Sequence, residues 1–182
     1  MKVVQTKLEG VFVIEPTVYE DDRGFFMESF NKRAFNAAVG REVEFVQDNH
    51  SKSSMGVLRG LHYQIKNTQG KLVRVTCGSV FDVAVDLRKG SVTYGDWVGF
   101  ELSAKNKRQL WIPEGFAHGF LTLESNVEFL YKTTDYYSPE YERTILWNDP
   151  ELKINWPEID VEYTLSEKDK NGLFFNKSEV FE

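Results

Sequence analysis

Short runs rich in Val, Phe, Tyr, Ile and Thr recur from Val11 onward, separated by turn-forming clusters, and this spacing constrains the fold more than any other feature. Strands alternating with helices would need helical patterns of roughly 10 to 15 residues between the runs. None is seen, so the pattern predicts an all-β sandwich or barrel with a few short helices. The expected strands are Val11–Glu15, Gly24–Phe30, Glu44–Gln47, Val57–Tyr63, Lys71–Thr76, Ser79–Leu87, Asp96–Leu102, Arg108–Ile112, Gly119–Thr122 and Val127–Thr134. One helix is expected over Asn31–Val39, where Asn31 can cap, Phe35 and Val39 share a face and Gly40 stops the helix. A shorter turn is expected after Ser166, because Ser166-Glu167-Lys168-Asp169 resembles a capping box with Asp in the Glu or Gln position.

At 182 residues the chain suits one domain, 1–182. Turn chemistry and two tryptophans between Pro139 and Pro157, with no Ser/Gly linker, make residues 139–182 an ordered tail packed on the main body. The balance of 22 basic against 28 acidic residues, net −6, argues against a nucleic-acid partner and a polybasic membrane anchor. It leaves room for a local basic pocket. Cys77 is the only cysteine, so neither an intrachain disulfide nor a multi-cysteine zinc site can form. Met1-Lys2-Val3-Val4-Gln5-Thr6-Lys7 lacks the apolar core of a signal peptide, and no apolar run is long enough to span a bilayer. The expectation is a cytoplasmic protein.

Two strands carry polar groups in informative places. In Phe81–Leu87 the alternation sets Phe81, Val83, Val85 and Leu87 on one face, and Asp82, Ala84 and Asp86 on the other. The apolar face is expected to cover the core, leaving the aspartates toward solvent or a polar barrel mouth. In Val127–Thr134 a shared face of Val127, Phe129, Tyr131 and Thr133 puts a phenol among core-directed side chains. Such a tyrosine usually serves packing through its ring and one satisfied hydroxyl, although it can act as a general acid.

Two of the three histidines sit beside glycines, in Arg59-Gly60-Leu61-His62-Tyr63-Gln64 and in Pro113-Glu114-Gly115-Phe116-Ala117-His118-Gly119. The second segment resembles the PxGxxH element of cupins, small jelly rolls. A cupin metal site also takes a His-x-His pair, and here Gln64 stands two residues after His62. One nitrogen from each motif is too few for a firm site, so no metal is expected. An unligated His62 can act as a base near neutral pH, the alternative being a histidine satisfied in the core. The charged company of Arg59, Lys71 and Arg74 favours the base.

Taken in order, Asp22-Arg23-Gly24-Phe25-Phe26-Met27-Glu28, Phe45-Val46-Gln47-Asp48-Asn49-His50-Ser51, the His62 segment, Gln69-Gly70-Lys71-Leu72-Val73-Arg74-Val75, the His118 segment and Phe129-Leu130-Tyr131-Lys132 closely resemble the dTDP-4-dehydrorhamnose 3,5-epimerase family over nearly the whole chain. The resemblance implies a cupin jelly roll, a homodimer, no cofactor and no metal. It implies inversion at C3 and C5 of a dTDP-4-keto-6-deoxy sugar, in dTDP-L-rhamnose biosynthesis. By that resemblance His62 is the base, Asp169 orients its imidazole, Lys71 places positive charge near the C4 oxygen, and Tyr131 is the proton donor. Arg23, Glu28, Gln47, Asn49, Arg59, His118, Glu142 and Lys168 match positions around the substrate, Tyr137 matches the aromatic beneath thymine, and Phe26 matches another aromatic nearby. The resemblance also implies that the Arg23 to Glu28 strand reaches the neighbouring subunit's site.

Strict alternation would put Arg59 and His62 on opposite faces of one strand, so an irregularity is expected at Gly60. Three other readings stay open: a related enzyme that epimerises only C3, a metal-dependent cupin, against which the missing His-x-His argues, and a non-catalytic sugar-nucleotide binding module.

Overall fold

The computed structural model describes residues 1–182. Its strands are β1 (Lys2–Gln5), β2 (Phe12–Glu15), β3 (Val18–Asp21), β4 (Gly24–Met27), β5 (Gln47–Ser53), β6 (Leu58–Gln64), β7 (Lys71–Cys77), β8 (Ser79–Asp86), β9 (Trp97–Ser103), β10 (Gln109–Ile112), β11 (Phe116–Thr122), β12 (Val127–Thr133) and β13 (Glu142–Thr144). The helices α1 (Lys32–Val39) and α2 (Glu167–Lys170) are short. A six-stranded sheet in the order β1-β2-β10-β7-β12-β5 faces a five-stranded sheet in the order β13-β6-β11-β8-β9. The pairings between these strands are antiparallel, and β3 pairs only with β4, in a separate hairpin. This is an all-β sandwich, as the recurring runs predict, and of the jelly-roll kind that the resemblance implies.

The inward faces of both sheets meet in one apolar cluster, with Val73, Leu110 and Phe129 from one side and Val80, Leu102 and Phe120 from the other. Each buried side chain of this size contributes about 1.5–3 kcal/mol relative to exposure. On the outer face of the six-stranded sheet, Phe35 of α1 packs edge-on to Trp111 at 5.2 Å between ring centroids. Asn31 caps α1 by accepting from the Ala34 N–H, and Gly40 closes it in the left-handed conformation at φ 73°.

The β8 expectation needs correcting. Val83, Val85 and Leu87 do not face the other sheet; they pack outward with Leu61, Ile145, Leu152 and Phe175 under the C-terminal segment. Both faces of this sheet are covered, so its more apolar face could not be equated with the interior. Asp82, on the inward face, is fully buried against His118. Asp86, also fully buried, accepts hydrogen bonds from Arg88, Ser91 and Thr93 in the following turn.

The strand expected over Glu44–Gln47 begins only at Gln47 and runs to Ser53, as β5. Every residue of β5 is polar, because one face lines a cavity and the other faces outward, so no hydrophobic alternation marks it. The strand expected to reach Phe30 stops at Met27, and β1, β3 and β13 were not expected at all. These are two sheet edges and half of a hairpin, held by cross-strand partners rather than by a local apolar pattern.

The irregularity expected at Gly60 is present. His118 pairs with His62 and Phe120 with Arg59, so three steps along β6 oppose two along β11. The extra residue turns Arg59 and His62 to the same inward face. The Gly60–Leu61 peptide is cis. Gly60 has φ +120°, and a Cβ there would lie 2.6 Å from Gly119 Cα and 2.7 Å from the His118 carbonyl oxygen. Those neighbours are backbone and cannot step aside. Gly60→Ala is therefore expected to cost about 3 kcal/mol, combining left-handed strain with overpacking. A urea midpoint equal to that of the parent would contradict this.

Candidate active site

Between the sheets lies a cavity of about 310 Å³. The five-stranded sheet supplies Arg59 and His62 from β6, His118 from β11 and Glu142 from β13. The six-stranded sheet supplies Gln47 and Asn49 from β5, Lys71 from β7 and Tyr131 from β12. Tyr137 and Lys168 come from outside both sheets to complete the wall. A titratable imidazole and a phenol thus approach one enclosed space from opposite sides.

His62 is held from behind. Its Nε2 lies 2.6 Å from Oδ1 of Asp169, which is nearly fully buried. Burial pushes the Asp169 carboxyl up, but hydrogen bonds from His62, Ser166 and the Gly60 N–H outweigh it and hold the group well below the usual carboxylate range. An ionised carboxylate only accepts, so His62 Nε2–H is the donor and Nδ1 is left free to take a proton. Burial also lowers the imidazole below its ordinary range, against the pull of Asp169 and with help from the Lys168 charge. At neutral pH the His62 ring is therefore unprotonated and able to accept a proton.

Lys71 begins β7, two residues along from Val73, the ladder partner of Tyr131. Burial lowers its ammonium to about 8, opposed by the charges of Glu142 and Asp82. Both carboxylates bond elsewhere, Asp82 to His118 at 2.9 Å and Glu142 to Lys168 at 2.8 Å. The Lys71 charge therefore faces the cavity without a paired anion. Burial raises the Tyr131 phenol above its usual range, with Arg59 opposing, so it holds its proton at neutral pH.

At the rim, Glu142 accepts from the Tyr137 hydroxyl at 3.0 Å as well as from Lys168, and Gln47 accepts from the Tyr137 N–H at 3.2 Å. Tied at backbone and hydroxyl, the half-exposed ring stands as a flat surface at the cavity mouth. The Arg59 guanidinium, bonded to the Ser53 hydroxyl at 3.2 Å, makes no ion pair and is open to an anion. No group of three or more His, Cys, Asp or Glu side chains is arranged to hold a metal ion.

A family model described as dTDP-4-dehydrorhamnose 3,5-epimerase matches residues 5–177. The chain belongs to that family. A dTDP-4-dehydrorhamnose 3,5-epimerase from Pseudomonas aeruginosa is 62% identical over 181 residues, covering 100% of this chain and 99% of the relative. Among solved structures, the dTDP-6-deoxy-D-glucose-3,5-epimerase from Legionella pneumophila, in complex with dTDP-4-keto-L-rhamnose, superposes with a TM-score of 0.95 at 51% identity, covering 98% of this chain and 94% of that one. A 3'-monoepimerase from Streptomyces bikiniensis, in complex with dTDP-quinovose, gives a TM-score of 0.88 at 32% identity, covering 94% and 86%.

Within this epimerase-family fold, Arg23, Phe26 and Glu28 do not join the cavity of their own chain. Arg23 and Phe26 stand exposed on the β3–β4 hairpin, and Glu28 follows it. Asp82 does not line the cavity but backs it, buried and bonded to His118 rather than solvated. Burial raises its carboxyl above the ordinary value, partly offset by His118 and Lys71. Ser51, Gln69, Phe120 and Phe129 also line the cavity without having been singled out. For Ser51, Phe120 and Phe129 the available signal was parity with Asn49, His118 and Tyr131 on their strands. No helix is long and apolar enough to cross a membrane.

Proposed function

We propose that this chain converts dTDP-4-dehydro-6-deoxy-D-glucose to dTDP-4-dehydro-L-rhamnose by inverting C3 and C5, each through an enolate. The placement of the His62–Asp169 pair on one side of the cavity and of Tyr131, with Lys71 on the neighbouring strand, on the other carries this reading. Protons beside the C4 ketone are acidic because the carbanion delocalises onto oxygen. His62 Nδ1 takes the proton from carbon, and the C–H electron pair forms the enolate with negative charge on O4. The Lys71 ammonium stabilises that oxygen. The Tyr131 hydroxyl delivers its proton to the opposite face of the same carbon, and the electron pair returns to it. His62 then loses its proton to water and the phenolate regains one, so the cycle neither consumes nor requires a redox partner. His118 supports the sugar from beside His62, and Arg59 and Lys168 bind the diphosphate. Tyr137 stacks on the base, with Gln47, Asn49 and Glu142 around it.

A homodimer follows from the same reading. The hairpin carries Tyr19, Phe25 and Phe26 at 65%, 55% and 68% exposure, more apolar surface than an isolated hairpin should offer to water. The outer face of the six-stranded sheet has a depression of about 400 Å³ lined by Leu72, Arg74, Leu130 and Lys132 among others. Seating a second copy there would cover those rings, and the resemblance implies that Arg23, Phe26 and Glu28 then reach the neighbouring subunit's site.

The test is deuterium wash-in from heavy water into dTDP-4-keto-6-deoxyglucose, read by NMR at both carbons. Deuterium at C3 and C5, with L-lyxo product reducible by a rhamnose-pathway reductase, is expected. Exchange at C3 alone would make the chain a 3-epimerase, a reading disfavoured by its lower identity to the monoepimerase, 32% against 51% for the substrate-class relative. No exchange at either carbon would leave a binding module. Tyr131→Phe is expected to separate exchange from inversion: His62 still labels recovered substrate, while formation of L-lyxo product falls by about a hundredfold.

A further inference from the structure

The Asp169 carboxylate is held at both oxygens. Oδ1 accepts from His62 Nε2–H at 2.6 Å and from the Gly60 N–H at 3.1 Å. Oδ2 accepts from the Ser166 hydroxyl at 2.5 Å and, at a longer 3.4 Å, from the Ser166 N–H. The Ser166 hydroxyl oxygen accepts in return from the Asp169 N–H at 3.2 Å, which closes the capping box of α2. The residue that orients the imidazole is thus also the third residue of a four-residue helix. A helix of one turn has almost no stability of its own, so it cannot by itself aim a side chain. The segment is tied to the body on either side, by the bridges of Thr164 to Val57 and of Leu173 to Ile145. Between those ties, Ser166 is the one side chain that holds Oδ2.

We infer that Ser166 is a positioning residue for the catalytic base: its hydroxyl keeps the Asp169 carboxylate in the orientation in which Oδ1 meets His62, and so keeps Nδ1 turned to the cavity. This rests on the assignment of His62 as the base. Ser166 does not line the cavity, so it acts through Asp169.

A plain capping role is separable from this one. Threonine and glycine rank together as helix caps, yet only threonine has a hydroxyl to donate. Ser166 is exposed, so the extra methyl of threonine has room. The experiment compares Ser166→Thr, Ser166→Gly and His62→Asn in the intact chain by steady-state kinetics and by the low-field proton resonance of the His62–Asp169 bond, identified by its loss in His62→Asn. The threonine variant is expected to stay within about twofold of the parent in kcat and to keep the resonance. The glycine variant is expected to lose about tenfold or more in kcat, with KM within about twofold, and to lose or shift the resonance. Threonine and glycine variants with equal kcat and an unmoved resonance would overturn the inference and leave Ser166 a cap. So would a glycine variant with raised KM and parental kcat, which would point to displacement of Lys168 instead. Undiminished exchange in His62→Asn would overturn the base assignment itself, independently of the Ser166 variants.

Discussion

His62→Asn is expected to abolish deuterium wash-in at both C3 and C5, lowering turnover by about a thousandfold or more, while the protein stays folded. Asparagine presents no group that accepts a proton near neutral pH, so both enolisations lose their base together. Loss of general acid–base function costs roughly 10²–10⁴-fold, and the proposed mechanism uses the same group at two carbons. The fold is expected to tolerate the change because the buried Asp169 keeps donors from Ser166 and Gly60. Binding of dTDP is expected to persist, since Arg59, Lys168 and Tyr137 lie at the rim and are untouched. Exchange retained at one carbon would show a second base, and exchange retained at both would remove His62 from the mechanism.

Lys71→Gln is expected to lower kcat/KM by about a hundredfold to a thousandfold. A preorganised donor facing a developing oxyanion in a dry cavity contributes about 3–4 kcal/mol, and the glutamine amide retains a donor without the charge. The variant is expected to be at least as stable as the parent. Burial disfavours the ammonium, and neither Asp82 nor Glu142 loses its hydrogen-bond partner with it. The pH profile supplies the second readout. In the proposed mechanism the active form has His62 neutral and Lys71 protonated. Activity in kcat/KM should thus fall on the acid side below the ordinary histidine value of 6.5, because burial lowers the imidazole, and on the alkaline side through about 8, as Lys71 loses its proton. In Lys71→Gln the alkaline limb near 8 is expected to disappear while the acid limb stays. A limb that persists unchanged would assign it to another group.

Much of this site could be read from the chain itself. Val127, Phe129, Tyr131 and Thr133 share the inward face that alternation predicts, and Tyr131 reaches the cavity as a result. The parity conflict between Arg59 and His62 pointed to Gly60, where the register does slip. Ser166-Glu167-Lys168-Asp169 announced its capping box. Other features had no local signal. The polar strand β5 carries Gln47 and Asn49 to the cavity, yet a strand with one face on a polar cavity and the other turned outward shows no hydrophobic period. Asp82 and Val83 exchanged their expected sides because the C-terminal segment gives the outer face of the five-stranded sheet a core of its own.

By itself the sequence determined the strand-dominated class, the helix over Asn31–Val39, the absence of an intrachain disulfide, and the set of side chains able to move a proton or bind an anion. Those follow from local stereochemistry and residue chemistry, which need no knowledge of neighbours. Only the tertiary structure decided that Asp169 lies 2.6 Å from a histidine 107 positions away, that Asp82 backs His118, and that imidazole and phenol approach one cavity from different sheets. Such contacts depend on register and sheet order, which are set by burial summed over the whole molecule rather than by any one segment.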